Sequence, residues 1–110
     1  MKSVFAVSTE SFAETVLGAG KPVLVVFSAP WCGPCRRATP RLRQIADELS
    51  DRLVVVSVNV EEHPELAERY RVRAFPTLGL FVDGRLVHHS VGVDPVPEFL
   101  DEFEDYLPDR

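Results

Sequence analysis

The sequence predicts an α/β domain with one mixed, mostly parallel sheet, helices on both faces and an antiparallel hairpin at its edge. Three observations predict it. Strand-like and helix-like segments alternate early in the chain, the order that builds a parallel sheet. The runs 22–28 and 53–58 are apolar without polar alternation, as expected of strands covered on both faces. Asp83-Gly84 then separates two further strand-like runs, and this dipeptide is a strong signal for a two-residue hairpin.

Each element has its own signal. Residues 3–7 read as a short first strand. Ser8 or Thr9 caps a helix to about residue 18, and Ser11-Phe12-Ala13-Glu14 also fits a capping box. Gly18, Gly20 and Pro22 mark the turn into strand 22–28. A helix over 34–49 follows, with Cys35, Leu42, Ile45, Ala46 and Leu49 on one face. Pro40 lies inside it and is expected to kink it, because it cannot donate to the Arg36 carbonyl. After strand 53–58, His63-Pro64 opens a short helix to about Tyr70, with Pro64 in the first turn and Glu65 near the positive dipole end. Strands 77–82 and 86–91 flank the hairpin turn. A last helix over 95–107 is expected to bury Phe99, Leu100, Phe103 and Leu107.

The 110 residues suffice for one domain, 1–110, and are too few for two. With 45% hydrophobic residues the core needs no cross-link, so the two cysteines are free for chemistry. A net charge of −5 argues against non-specific binding to nucleic acid or an acidic membrane. No segment approaches membrane-span length, and the apolar start is too short for a signal-peptide core. The chain reads as cytoplasmic. Cysteines there stay reduced, so a close pair is catalytic or metal-binding rather than structural.

That pair lies in Trp31-Cys32-Gly33-Pro34-Cys35, between a strand and a helix. A thiol attacks a disulfide only as thiolate, so the site must favour the anion. Cys32, at the helix start, faces unpaired N–H groups and the positive dipole end. Pro34 has no N–H, which leaves that of Cys35 as the natural donor, and Arg36 and Arg37 add positive charge. Cys32 is therefore expected to be the exposed nucleophile. Cys35, one turn in on the apolar face, is expected to be the resolving thiol. A zinc half-site is the alternative, but no second cysteine pair exists and His63, His88 and His89 lack zinc-finger spacing. Two inert buried cysteines would not need the turn-forming Gly33-Pro34 between them.

These residues resemble the thioredoxin family along nearly the whole chain. The resemblance includes Trp31-Cys32-Gly33-Pro34-Cys35, Pro40, Asn59-Val60-Glu61, Arg73-Ala74-Phe75-Pro76-Thr77 and Gly92. It implies a thioredoxin fold, a single domain of five strands flanked by four helices. It implies that Pro76 is cis beside the dithiol, and that the backbone of Phe75 pairs with an extended substrate segment. Trp31 is expected either to cover the dithiol and touch partners or merely to pack, and Gly92 either to let a third loop approach closely or to serve a strand-ending turn. The implied function is reduction of protein disulfides through reversible oxidation of Cys32 and Cys35, with Gly33 and Pro34 tuning the pair toward the reducing branch. No cofactor or metal is implied. Electrons would come from an NADPH-dependent thioredoxin reductase to a monomeric protein whose substrates carry disulfides.

Three positions depart from the family. A buried Asp, thought to help deprotonate the resolving cysteine, is replaced by Val26. Its Lys partner is replaced by Ser57, and the aromatic residue near that Asp by Ser28. Losing the charges together avoids an unpaired buried ion, but slower resolution of the mixed disulfide is expected. The alternative reading is a binding or holding module with weak turnover. Arg36, Arg37, Arg41 and Arg43 form a basic cluster, a solvated face that could also favour acidic substrate rims.

Overall fold

The apolar runs become the middle of one sheet. The computed structural model describes residues 4–108. Its strands are β1 (Val4–Val7), β2 (Val23–Ser28), β3 (Val54–Asn59), β4 (Thr77–Val82) and β5 (Arg85–Val91), ordered β1-β3-β2-β4-β5. β1 and β2 flank β3 in parallel, while β4 runs antiparallel to both β2 and β5. Every residue from Val23 to Phe27 is buried, which explains why that run shows no polar alternation.

The helices are α1 (Thr9–Phe12), α2 (Gly33–Glu48), α3 (Pro64–Arg69) and α4 (Val96–Phe103). Successive side chains of β2 point to opposite faces, and each face has its own core. Leu24 and Val26 pack with Leu42, Ile45, Phe99 and Phe103. Val25 and Phe27 pack with Phe12, Val16, Leu66 and Phe81. Cys32 and Cys35 join the second cluster although most of the buried face of α2 joins the first. The dithiol thus sits where the two cores meet.

Several boundaries differ from the sequence reading, and residue 3 lies outside the described residues. Ser8 is the N-cap of α1: its hydroxyl accepts from the Ser11 N–H at 3.1 Å, and Ser11 Oγ accepts from the Ser8 N–H at 3.0 Å. The box therefore pairs Ser8 with Ser11, and Ser11 is already inside the helix rather than capping it. From Ala13 to Leu17 the helix widens into a π turn, closed by the Gly18 N–H on the Ala13 carbonyl at 2.8 Å. The last helix ends at Phe103 and tightens into a 3₁₀ turn over Glu104–Tyr106. Its apolar face is Val96, Phe99 and Phe103, with the last two rings stacked at 4.5 Å. Leu100 falls beside that face and is only partly buried, contrary to expectation. Pro40 lies inside α2. The hairpin turn has positive φ at both Asp83 (53°) and Gly84 (80°), the conformation its two residue types favour.

Candidate active site

The chain leaves β2 at Ser28, turns through Ala29-Pro30-Trp31 and enters α2 at Gly33. Cys32 is the N-cap, in extended conformation. It forms a disulfide with Cys35 across a Cα separation of 5.3 Å. The Cys35 N–H donates to Cys32 Sγ at 3.1 Å. On its other side Cys32 Sγ lies 3.7 Å from the Phe75 carbonyl oxygen. The N–H donor favours a thiolate there, and the carbonyl would receive the proton of a thiol.

The expected contrast in exposure is absent. Cys32 is 5% exposed and Cys35 7%. The bonded sulfurs shield one another, and the Phe75 segment lies against Cys32. What distinguishes the two is position on the helix, not accessibility.

The predicted site residues do converge. The Phe75–Pro76 peptide is cis. The Pro76 carbonyl accepts from the Gly92 N–H at 2.8 Å, which ties the third loop to the second. Pro34, Pro76 and Gly92 line one cleft with Arg37 and Arg41. Trp31 stands 62% exposed and meets the half-buried Phe75 ring edge-on, with centroids 5.8 Å apart. Of the two roles expected for Gly92, the strand-ending turn fits, since β5 ends at Val91. A Cβ there would meet nothing within 4 Å, so close approach does not demand glycine; its φ of +90° does.

Other contacts were not foreseen. Buried Thr77 donates its hydroxyl to the Ala74 carbonyl at 2.6 Å, closing the bend before Pro76. A Thr directly after the proline was the available signal. Two of the four clustered arginines brace the site: Arg36 donates to the Pro30 carbonyl at 2.6 Å, and Arg41 to the Val93 carbonyl at 2.9 Å. His63 Nδ1 meets the Thr9 hydroxyl at 3.1 Å, and His88 pairs with Glu102 at 2.8 Å. Among the described residues no group of three metal-ligating side chains converges.

The described residues contain no helix long and apolar enough to cross a membrane. A family model described as Thioredoxin matches residues 3–105. The chain belongs to the thioredoxin family. Thioredoxin 1 of Synechococcus elongatus is 41% identical over 107 residues, covering 97% of this chain and 100% of that protein. A thioredoxin of Acidithiobacillus ferridurans is 47% identical over 90 residues, covering 82% and 83%. A thioredoxin of Mycobacterium tuberculosis is 43% identical over 102 residues, covering 93% and 88%. Thioredoxin membership and a Cys-x-x-Cys pair at bonding distance make this chain a thiol–disulfide oxidoreductase that reduces protein disulfides. The holding-module alternative therefore concerns the rate of turnover, not its kind.

Proposed function

We propose that Cys32 attacks the substrate disulfide and Cys35 resolves the mixed disulfide. The observation that supports this most is the Cys35 N–H, 3.1 Å from Cys32 Sγ at the start of α2. A sulfur at that N-cap gains both the hydrogen bond and the positive end of the helix dipole, and each favours its anion. In the reducing direction the Cys32 thiolate bonds to one substrate sulfur and expels the other as thiolate. The Cys35 thiolate then bonds to Cys32 Sγ and expels the second substrate sulfur. Two electrons pass from the dithiol to the substrate.

Around this step Gly33 and Pro34 set the reducing character of the pair, and Trp31, Phe75, Pro76 and Gly92 receive an extended substrate segment. The basic cluster steers acidic substrate rims toward them. The domain runs over 1–110, acts as a monomer in the cytoplasm without a bound cofactor, and serves electron transport and redox homeostasis. An NADPH-dependent thioredoxin reductase restores the dithiol. Neither nucleic acid nor membrane is a partner.

The test is trapping. Cys35→Ser, mixed with a disulfide-bonded protein such as oxidised insulin, should accumulate a covalent adduct through Cys32. Cys32→Ser should accumulate none and reduce nothing. The reverse pattern would exchange the roles.

A further inference from the structure

We infer that the cleft behind Cys35 is a subsite for a small carboxylate, which takes the Cys35 thiol proton as the mixed disulfide resolves. This rests on the resolving role proposed for Cys35. A thiol must lose its proton before it attacks. Cys35 Sγ is bonded to Cys32 here, and the hydrogen bonds of Cys35 are made by its backbone. Its N–H goes to Cys32 Sγ, and its carbonyl accepts from Thr39 Oγ1 at 3.3 Å. The sheet beneath offers Val26 opposite Ser57, so it supplies no ionisable group.

What the structure supplies instead is space with polar walls. A cleft of about 470 Å³ opens where the ends of β1, β2 and β3 meet the first turns of α2, and Cys35 lines it. Ser28, Thr39 and Ser57 line it with hydroxyls, and exposed Ala6 marks its solvent side. The volume is many times the ~30 Å³ share of one water molecule, ample for an anion of acetate size.

The walls also carry donors suited to an anion. Arg36 lines the cleft with its guanidinium held by the Pro30 carbonyl. His63 Nδ1 accepts from the Thr9 N–H at 3.3 Å, so the neutral ring carries its proton on Nε2 as a donor. Asn59 Oδ1 accepts from the Glu61 and Glu62 N–H groups at 2.9 and 3.4 Å, which leaves its amide N–H groups to donate. Glu62 opposes this. Its carboxylate stands 4.0 Å from His63 Nε2 with its side chain 70% exposed. One negative charge at the rim keeps anion binding weak, so the response to carboxylate is first-order rather than saturating.

The step balances. The Cys35 S–H proton passes to the carboxylate, the Cys35 sulfur bonds to Cys32 Sγ, and the bond from Cys32 to the substrate sulfur breaks. That sulfur leaves with the electron pair and takes a proton from solvent. The protein dithiol is oxidised by two electrons and the substrate disulfide is reduced.

The experiment is stopped-flow reduction of a saturating disulfide, read by Trp31 emission, at fixed pH and ionic strength with increasing acetate. The resolution rate should rise linearly, by about threefold, a fraction of what a fixed general base contributes. Ser28→Phe and Ser57→Leu, which close the cleft from two sides, should each abolish the rise. Attack by Cys32 in Cys35→Ser should not respond to acetate. A flat parent rate overturns the inference. So does a rise that persists in either folded closing variant, or a response in Cys35→Ser. Failure of the underlying role assignment shows separately, as adduct trapping in Cys32→Ser rather than Cys35→Ser.

Discussion

Val26 lies opposite Ser57 in the parallel pairing of β2 and β3, with Val26 2% exposed and Ser57 open to the cleft that Cys35 lines. The two positions where the family carries opposite charges are thus neighbours here, and both have lost them. An apolar side chain beside a hydroxyl leaves no buried ion to compensate.

Restoring the acid has two opposed effects. Val26→Asp should speed resolution, by restoring the acid that the resemblance to the family implies at this position. It should also destabilise the fold at neutral pH by about 3 kcal/mol, because the carboxylate is buried unpaired. Desolvation raises the folded-state pKa of the new carboxyl above its unfolded value. The penalty is therefore absent below the unfolded pKa and grows as pH rises through the folded one. Adding Ser57→Lys should recover part of the loss. Urea unfolding at acidic and neutral pH checks the stability, and stopped-flow turnover checks the rate. An unchanged rate would remove the idea that resolution is slow for want of this acid.

Trp31 separates docking from folding. Its ring is 62% exposed, and its ring contact is the edge of Phe75 at 5.8 Å. Trp31→Ala should lower kcat/KM for a protein disulfide about tenfold, as loss of an exposed aromatic anchor does. Stability should change by less than about 1 kcal/mol. Kinetics with a small disulfide reagent, which makes no such contact, should stay near the parent value. Equal loss on both substrates would move Trp31 from docking to the chemistry.

The hairpin turn should tolerate change unequally. A Cβ on Gly84 would sit 2.9 Å from the Leu17 carbonyl oxygen, and the residue holds φ +80°. Gly84→Ala should therefore cost about 2–3 kcal/mol from left-handed strain and the backbone clash together. Asp83→Asn keeps a residue that accepts positive φ and should stay within about 0.5 kcal/mol. Urea midpoints at constant m report both.

What was legible in the sequence was local. Strand 77–82 matches β4 residue for residue because Pro76 and Asp83-Gly84 punctuate its two ends. The helix after the cysteines was visible because its buried face repeats at helical spacing. Features made by distant segments were not legible. The burial of Cys32 involves Phe75, 43 residues away in sequence. The cleft beside Cys35 is bounded by β1, β3 and α2, and no single segment records it. Helix ends fell between these cases. The π turn from Ala13 and the 3₁₀ turn from Glu104 begin where their sequences carry no stop signal.

The start of α1 provides a case in which two readings of one sequence predict different numbers. Ser8 and Ser11 exchange hydrogen bonds between side chain and backbone at 3.1 and 3.0 Å. A box starting at Ser11 would instead use Glu14, which takes no part in the observed cap. Ser8→Ala removes an acceptor for an otherwise orphaned helix N–H and should cost about 1 kcal/mol. Glu14→Gln alters only an exposed charge and should stay within about 0.5 kcal/mol. Ser11→Ala should cost about as much as Ser8→Ala, and the double variant less than their sum, because each hydroxyl serves the same cap. Urea unfolding of the four proteins measures this. A larger loss at Glu14 than at Ser8 would place the helix start three residues later than Ser8.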